Sequence, residues 1–448
     1  MTLALTRPAV ELPRVVGADL RVPLVAGGHV AYANLDLAAS APALEDVAAH
    51  ITELLPYYSS VHRGAGYASQ VCTAVLESAR AEVARFVGAR PGDGDDDDVA
   101  ILTRNTTDAL NLLAGCVPGR VVCLDVEHHA NLLPWRDRRV VPVAGTVDAT
   151  VDALADALRE APTALVAVTG ASNVTGEVLP VERVVALAHA AGARVVLDAA
   201  QLAPHRRVDI ATTGVDYVAL SGHKLYAPYG AGALIGRRDW LDAAPPYLAG
   251  GGAVREVGTA SATWAPAPHR HEAGTPNVLG AAALAQACRS LAPVLDGPGP
   301  DHERDLLERL DVGLARIPGV RRLRIWEDAT DRVAVRSFTI ADRPAGYVAA
   351  YLSAEHGVGV RDGRFCAHPL LARLCADSGG EALRASIGVG TTGEHVDRLV
   401  DGLYALVTHG ARWTYAPVAG RWSPIPDPRG IDPLDIGAVG VAGPGCGY

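Results

Sequence analysis

Residues 220–230 read LSGHKLYAPYG, and this stretch contains Lys224, the one lysine in a chain of 448 residues. Arginine supplies charge and a planar set of donors, but its guanidinium stays protonated in proteins and cannot act as an amine nucleophile. Lysine can lose its proton and form a Schiff base. A composition bias that left one lysine by chance is the alternative, and the motifs around Lys224 argue against it.

Short apolar runs rich in β-branched residues alternate with alanine-rich helical patterns between about residues 70 and 290. This alternation predicts an α/β fold in which helices cover both faces of a mostly parallel sheet. From about residue 295 the pattern changes and predicts a smaller α+β domain. The runs with the length of buried strands are VAILT (99–103), RVVCLD (120–125), TALVAVTG (163–170), ARVVLDAA (193–200) and DYVALSG (216–222).

The same patterns divide the chain into four parts. We expect residues 1–39 to pack with the small domain, residues 40–290 to form the large domain and residues 291–411 to form the small one. Residues 412–448 are rich in proline and glycine, which predicts an irregular tail rather than a further domain.

The composition indicates a globular protein that acts on a small molecule. Hydrophobic residues make up 49% of the chain, so a large core can be buried. A net charge of -10 argues against nucleic acid or an anionic membrane as a partner. No uninterrupted run of 18 apolar residues and no signal peptide is visible, so we expect a cytoplasmic protein without membrane contact. The seven cysteines lack metal-ligand spacing, which favours free thiols and no metal site.

Polar residues follow five of the predicted strands, at the sheet edge where ligands bind in open α/β folds. A molecule with a phosphate, a flat ring, a ring nitrogen and an aldehyde would use all of them, and pyridoxal phosphate (PLP) has these four groups. A simpler alternative for the threonines is helix capping, and for the aspartate a turn. The residues at the five exits are Thr106, Thr107, His128, His129, Asn173, Asp198, Gln201, Ser221, His223 and Lys224.

Ordered motifs over roughly residues 30–408 resemble those of class V aminotransferase-fold enzymes, most closely the SufS-type cysteine desulfurases and selenocysteine lyases. The resemblance implies a fold-type I PLP-dependent transferase with a mostly parallel seven-stranded sheet in its large domain, a smaller α+β domain, and a homodimer. The motifs that carry it are VHRGAGYASQ, EHHANLLPW, SNVTGEVLPV, DAAQ, SGHKLYAPYGAGAL, HEAGTPN, RDGRFCAHPL and LRASIGVG.

The resemblance also implies how the cofactor is held. Lys224 would be the Schiff-base lysine, His128 would stack on the ring, and Asp198 would keep the ring nitrogen protonated. The other implied contacts are Asn173 and Gln201 as donors at the ring hydroxyl, Thr107, Ser221 and His223 at the phosphate, and Thr275 at the phosphate of the neighbouring subunit. Thr106 is a further candidate for the phosphate, from its place at a strand exit.

On the substrate side, Arg384 matches the arginine that grips the substrate carboxylate, for which a bidentate guanidinium is suited. His62 and Arg361 match residues near the substrate. Cys366 matches the cysteine that takes sulfur from L-cysteine as a persulfide, leaving L-alanine, before a protein or small-molecule acceptor collects the sulfur. A structural arginine and a buried thiol are the alternatives for Arg384 and Cys366.

Two positions depart from the family pattern: Phe365 stands where histidine is common, and Gly66 replaces a second histidine. Another PLP reaction on the same scaffold is therefore the alternative: a carbon–sulfur lyase, a selenocysteine lyase or an amino-acid epimerase in a specialised pathway. A PLP-binding scaffold without turnover is a third hypothesis, and the retained lysine, aspartate, histidine and arginine argue against it. In the tail, Cys446 is either an ordinary exposed thiol or a relay for sulfur.

Overall fold

The computed structural model describes residues 11–62, 64–90, 92, 94, 97–430 and 432–434, which form nineteen strands and thirteen α-helices. The strands are β1 (Arg21–Pro23), β2 (His29–Ala31), β3 (Ala33–Asn34), β4 (Asp98–Thr103), β5 (Val121–Leu124), β6 (Arg138–Val141), β7 (Leu165–Thr169), β8 (Arg194–Asp198), β9 (Tyr217–Ser221), β10 (Gly232–Arg237), β11 (Val254–Val257), β12 (Ala262–Trp264), β13 (Val320–Arg322), β14 (Val335–Ile340), β15 (Val358–Gly359), β16 (Arg361–Gly363), β17 (Ala382–Ser386), β18 (Thr414–Val418) and β19 (Arg421–Ile425). The helices are α1 (Glu45–Leu54), α2 (Tyr67–Phe86), α3 (Thr106–Ala114), α4 (His129–Leu132), α5 (Val147–Glu160), α6 (Val181–Ala190), α7 (Ile210–Thr213), α8 (Arg238–Ala243), α9 (Val278–Leu295), α10 (Gly299–Ala315), α11 (Ala345–His356), α12 (His368–Leu374) and α13 (Gly393–His409).

A seven-stranded sheet with the order β4-β10-β9-β8-β7-β5-β6 forms the centre of the fold. Strands β9, β8, β7, β5 and β6 are parallel, and β10 runs antiparallel between β9 and β4. The predicted fold class, a mostly parallel seven-stranded sheet, is confirmed. The five predicted strands are β4, β5, β7, β8 and β9.

Both faces of this sheet are buried, because successive side chains of each strand point to opposite sides. In β5, Val122 and Leu124 pack into one hydrophobic cluster, and Val121 and Cys123 pack into another on the opposite face. Strands that are apolar on both faces leave polar chemistry to the loops at their ends.

Helix α9 is long and apolar enough to cross a membrane by length and composition, but 67% of it is buried inside the protein. It packs against α1 and α2, and Ala281 and Ala285 lie in a cluster with Leu76 and Ala79 of α2. Its apolar composition is therefore that of a core helix.

A second sheet, with the order β13-β14-β17-β16, is antiparallel and lies with α10, α11 and α13. The N-terminal segment joins this part of the molecule: β3 pairs with β15 in parallel, and the amide of Ala38 donates to Oγ of Ser386. For residues 33–38 these contacts support our proposal that residues 1–39 pack with a small domain of residues 291–411, beside a large domain of residues 40–290. Residues 1–10 lie outside the described part of the chain.

The sequence predicts irregular structure after residue 411, but β18 and β19 form an antiparallel hairpin there. Its two-residue turn consists of Ala419 and Gly420, whose φ angles of 49° and 79° are those of a type I′ turn. The hairpin packs on α11, where the Tyr347 ring lies 5.6 Å from the ring of Tyr415 and 5.4 Å from that of Trp422. The expectation of an irregular tail is therefore wrong for residues 414–425.

Candidate active site

A cavity of about 1000 Å³ opens at the carboxyl ends of β4, β5, β7, β8 and β9, where the second sheet and the C-terminal hairpin meet the central sheet. It brings together most of the side chains that the sequence singled out. The predicted residues that line it are Thr106, Thr107, His128, Asn173, Asp198, Gln201, Ser221, His223, Lys224, Arg361, Cys366 and Arg384.

One end of the cavity has the donors that a phosphate needs. Helix α3 begins at Thr106, and its N-cap is Asn105, whose side chain accepts from the amide of Asp108. Thr106 is therefore not the N-cap, and its buried Oγ1, like the buried Oγ of Ser221, has no hydrogen-bond partner among the described residues. Hydroxyls without partners beside a helix N-terminus fit the phosphate of PLP.

Asp198 and Lys224 form the charged floor of the cavity. Oδ1 of Asp198 accepts from the amide of Ala200 at 3.0 Å, and burial raises the pKa of this carboxyl. Burial lowers the pKa of Lys224 to about 8, with the charge of Asp198 opposing the shift and that of Arg384 adding to it. A lysine with this pKa has a much larger neutral fraction near pH 7 than an ordinary lysine, and a nucleophilic amine must be neutral.

His128 presents a flat neutral ring to the cavity. Its Nδ1 accepts from the amide of Ala130 at 3.0 Å, so its proton lies on Nε2. Burial, with the charge of Lys224 adding to it, lowers the pKa of His128 to about 3. An uncharged imidazole in this position suits stacking on an aromatic ring.

Glu127, which sequence reasoning missed, lies behind His128 and is fully buried. Its Oε2 accepts from Nδ2 of Asn131 at 2.7 Å, and its Oε1 has no partner among the described residues. Burial raises the pKa of Glu127 to about 8, and the charge of Asp198 adds to the rise. A pKa near this value favours the protonated acid at neutral pH. Glu127 is the first residue of the EHHANLLPW motif, but the sequence assigned it no role.

Arg384 lies on β17 with its side chain 3% exposed. Nη1 donates to the carbonyl oxygen of Asn173 at 2.9 Å and Nη2 donates to Oδ1 of Asp36 at 3.3 Å. Asp36 also pairs with Arg361, at 3.6 Å, so this unpredicted carboxylate holds both predicted arginines. Burial lowers the pKa of Arg384 to about 10, so the guanidinium stays charged and its buried Nε lacks a partner among the described residues.

Cys366 lies in a turn after β16 that is held by Asn173, in the loop after β7, and by His129, the first residue of α4. Nδ2 of Asn173 donates to the carbonyl oxygen of Phe365 at 2.8 Å, and the amide of His129 donates to that of Cys366 at 2.9 Å. The charge of Cys366 acts on both Lys224 and Arg384. The thiol and the amine therefore face the same space. Asn173 donates one N–H to the turn, and its second N–H leaves the predicted contact with the ring hydroxyl a prediction.

Phe365, the first departure from the family pattern, is 6% exposed. The guanidinium carbon of Arg384 lies 5.0 Å from the centre of its ring. An aromatic face supports a cation at this distance, so the phenyl ring takes part in placing Arg384.

Of the residues given a role, His62 and Thr275 lie outside the cavity, and so does His129, the other histidine at the exit of β5. Nε2 of His62 pairs with Oε1 of Glu77 at 2.9 Å, and Thr275 lies in an exposed loop before α9. Their roles at the substrate and at a neighbouring subunit's phosphate stay predictions. Cys446 lies outside the described residues, and among the described ones no group of three or more histidine, cysteine, aspartate or glutamate side chains could hold a metal ion.

Known proteins are similar to this chain in sequence and in fold. Residues 33–399 match the family model Aminotransferase class-V. Probable cysteine desulfurase 2 of Mycobacterium leprae (strain TN) is 35% identical over 420 residues, which cover 90% of this chain and 98% of that protein. The crystal structure of the cysteine desulfurase CsdA from Escherichia coli is 33% identical, with a TM-score of 0.71 over 83% of this chain and 94% of that chain. The apo structure of cysteine desulfurase from Thermococcus onnurineus NA1 is 30% identical, with a TM-score of 0.75 over 84% and 94%. The chain therefore belongs to the class-V aminotransferase family of PLP-dependent enzymes, in its cysteine desulfurase branch.

Proposed function

We propose that this protein is a PLP-dependent cysteine desulfurase, which removes sulfur from L-cysteine and leaves L-alanine and a persulfide on Cys366. The observation that carries the proposal is that Cys366, Lys224 and Arg384 line one cavity. A thiol beside a cofactor lysine and a carboxylate-binding arginine suits sulfur transfer from an amino acid.

The side chains that line the cavity would have separate roles in binding PLP and in binding the substrate. Thr106, Thr107, Ser221 and His223 would hold the phosphate of PLP, and Asp198 would pair with its ring nitrogen. PLP, when bound, supplies an electron-poor ring that stabilises negative charge on the substrate carbon. Arg384 binds the substrate carboxylate and the Nζ of Lys224 takes the proton of the substrate α-carbon. His128 would stack on the ring of PLP.

The sulfur step belongs to Cys366. Its thiolate attacks the sulfur of L-cysteine, so that a bond forms between Cys366 Sγ and that sulfur while the substrate Cβ–S bond breaks. The electron pair of the broken bond stays on Cβ, which takes up a proton, and alanine leaves. A thiolate of the sulfur acceptor then attacks the outer sulfur of the persulfide and releases the Cys366 thiolate.

One turnover of the holoenzyme with L-cysteine and no reductant tests the proposal. Mass spectrometry should find one added sulfur atom on Cys366, and alanine should form in equal amount. Cys366→Ser should still perturb the cofactor absorbance on adding L-cysteine but release no alanine, whereas Cys116→Ser, at a half-buried cysteine outside the cavity, should behave as wild type.

Phe365 favours a second candidate, another PLP reaction such as a carbon–sulfur lyase, a selenocysteine lyase or an amino-acid epimerase. The phenyl ring supports Arg384 and supplies no imidazole to the neighbouring thiol. If Cys366 gains no sulfur and Cys366→Ser keeps full activity on another amino acid, this candidate replaces the desulfurase.

We also infer that the protein is a cytoplasmic homodimer. Four exposed apolar side chains between the end of α1 and the start of α2 support an interface, because exposed apolar surface is typical of protein contacts. They are Leu55, Tyr57, Tyr58 and Tyr67. The sulfur acceptor would be a protein or a small thiol that reaches the mouth of the cavity.

A further inference from the structure

Two buried ionisable side chains that the chemistry above does not use stand behind Gln201. Nε2 of Gln201 lies 3.3 Å from Nε2 of His205, and Nδ1 of His205 lies 2.8 Å from Oε1 of Glu303. Gln201 is 3% exposed, and His205 and Glu303 are each 4% exposed. Gln201 and His205 follow β8, whereas Glu303 lies on α10, so this row of side chains joins the cavity to a distant helix.

The chemistry of the atoms fixes the direction of the hydrogen bonds. A carboxylate only accepts, so Nδ1 of His205 carries a proton and donates it to Glu303. In a neutral imidazole the other nitrogen has a lone pair, and Nε2 of His205 therefore accepts from the amide nitrogen of Gln201. The buried Oε1 of Gln201 has no partner among the described residues, and Gln201 lines the cavity. Because an amide nitrogen carries two hydrogens, Gln201 keeps a second N–H beside this Oε1, and the donor role that the resemblance implies stays a prediction.

A structural role alone does not account for this arrangement. Buried charge is costly unless it is paired, and apolar side chains of similar volume often stabilise a protein as well or better. Arg206 approaches Glu303 to 3.7 Å, and Tyr226 lies close enough for the charge of Glu303 to act on its hydroxyl. What the ionisable row adds over an apolar filling is a fixed orientation of the amide.

We propose that His205 and Glu303 are positioning residues that hold the Gln201 amide in one orientation toward the ring hydroxyl of PLP. The amide group presented there determines how strongly the hydroxyl holds its proton, so the pair tunes the electronic state of the bound cofactor. The proposal depends on the cofactor and not on which amino acid the enzyme converts.

Two variants test the proposal. His205→Phe fills the space but removes both hydrogen bonds of the histidine. Glu303→Gln keeps the shape of the side chain but no longer requires the proton of His205 to lie on Nδ1. Each variant should bind PLP about 3- to 10-fold more weakly, which is the worth of a buried hydrogen bond. Each should also move the midpoint of the pH titration of the visible cofactor band by about half a pH unit or more. Circular dichroism checks that the variants fold. If His205→Phe does not fold, the result for Glu303→Gln decides the test.

His189→Gln is the matched control, because it breaks another histidine–carboxylate pair, with Asp216 at 2.8 Å, outside the cavity. It should leave PLP affinity and the titration unchanged. In a Gln201→Ala background, His205→Phe should cause no additional loss of PLP affinity, because the histidine acts through the amide. Equal losses with and without Gln201, or an unchanged band in both variants, would overturn the proposal. These readouts need no turnover, so they are independent of whether L-cysteine is the substrate.

Discussion

Lys224 is the residue whose chemical type the site can least replace. It lies beside Asp198 with a pKa of about 8, lowered by burial, so it combines a partly neutral amine with a place in the cavity. Lys224→Arg should retain the positive charge but abolish alanine formation, by at least about 10³-fold, because a guanidinium cannot form the covalent link. The visible cofactor band and the release of alanine should be measured, and both should be lost in the variant. A variant that turned over at the wild-type rate would contradict the assignment.

Glu127 gives the site a pH-dependent stability. Its pKa is raised by burial from an ordinary 4.5 to about 8, so between these values the unfolded chain loses a proton that the folded one keeps. Stability from this group is therefore complete below pH 4.5 and is lost as the pH rises toward 8. Glu127→Gln has no proton to lose, so its free energy of unfolding relative to wild type should increase over this range, on the order of 2–4 kcal/mol.

Urea unfolding of the cofactor-free protein at pH 5 and pH 8 measures the effect of Glu127→Gln, since bound cofactor would shift the apparent stability. Glu53→Gln, at an exposed position, should show no such trend. A constant difference between Glu127→Gln and wild type at both pH values would mean that Glu127 is already ionised in the folded protein.

The site residues at the ends of strands could be predicted from the sequence, but the side chains that hydrogen-bond to them from distant parts of the chain could not. Asp198 and Lys224 each follow an apolar run, so their position was predictable from the pattern. Asp36 supports Arg384 across 348 positions of the chain, and Glu303 supports His205 across 98. Nothing local records such pairs, because they are created by tertiary packing.

Among the elements, β10 and the C-terminal hairpin escaped the sequence pattern for reasons of backbone geometry. Strand β10 reads GALIGR, and glycine weakens a strand pattern. A Cβ at Gly232 would lie 2.6 Å from the carbonyl oxygen of Leu220 and 2.7 Å from Cα of Asn105, so close packing requires the glycine. The hairpin turn places Ala419 at positive φ, where asparagine or glycine is usual, and so carried no turn signal.

The hairpin lies beyond the part of the chain that matches the family model, which ends at residue 399, yet its residues 419–422 line the cavity. Gly346 of α11 lets it approach, since a Cβ there would lie 3.0 Å from Cδ1 of Trp422 and 3.3 Å from Oδ2 of Asp362. Gly346→Val should displace the hairpin, increase hydrogen exchange over residues 414–425, and lower kcat/KM about 3- to 10-fold by loosening one cavity wall.

The control for Gly346→Val is Gly145→Val, because a Cβ at Gly145 meets nothing within 4 Å. It should leave hydrogen exchange in the hairpin and kcat/KM unchanged. If Gly346→Val loosens the hairpin without affecting kcat/KM, the hairpin is a structural appendage rather than a working wall of the site.

For the whole molecule, the sheet and the cofactor chemistry followed from the order of strands and strand-end residues, whereas the assembly did not. Thr275 is exposed and does not line the cavity of its own chain, although its motif predicts a phosphate contact. The proposed homodimer would account for this, because Thr275 would then contact the phosphate in the partner subunit's cavity. The sequence of one chain records the motif but not the surface on which two chains meet.

Mixed dimers test this assembly. We expect Thr275→Ala to weaken PLP binding about 3- to 10-fold through the loss of one hydrogen bond, and Lys224→Ala to be inactive. If Thr275 acts across the interface, a dimer of one Thr275→Ala chain and one Lys224→Ala chain holds one site with both Lys224 and a partner's intact threonine. Co-refolding the two variants should then yield a fraction of sites with wild-type PLP affinity and alanine production at limiting PLP. A mixture that performs no better than Thr275→Ala alone would place the threonine's action within its own chain, and a monomer in size-exclusion chromatography with light scattering would remove the shared site altogether.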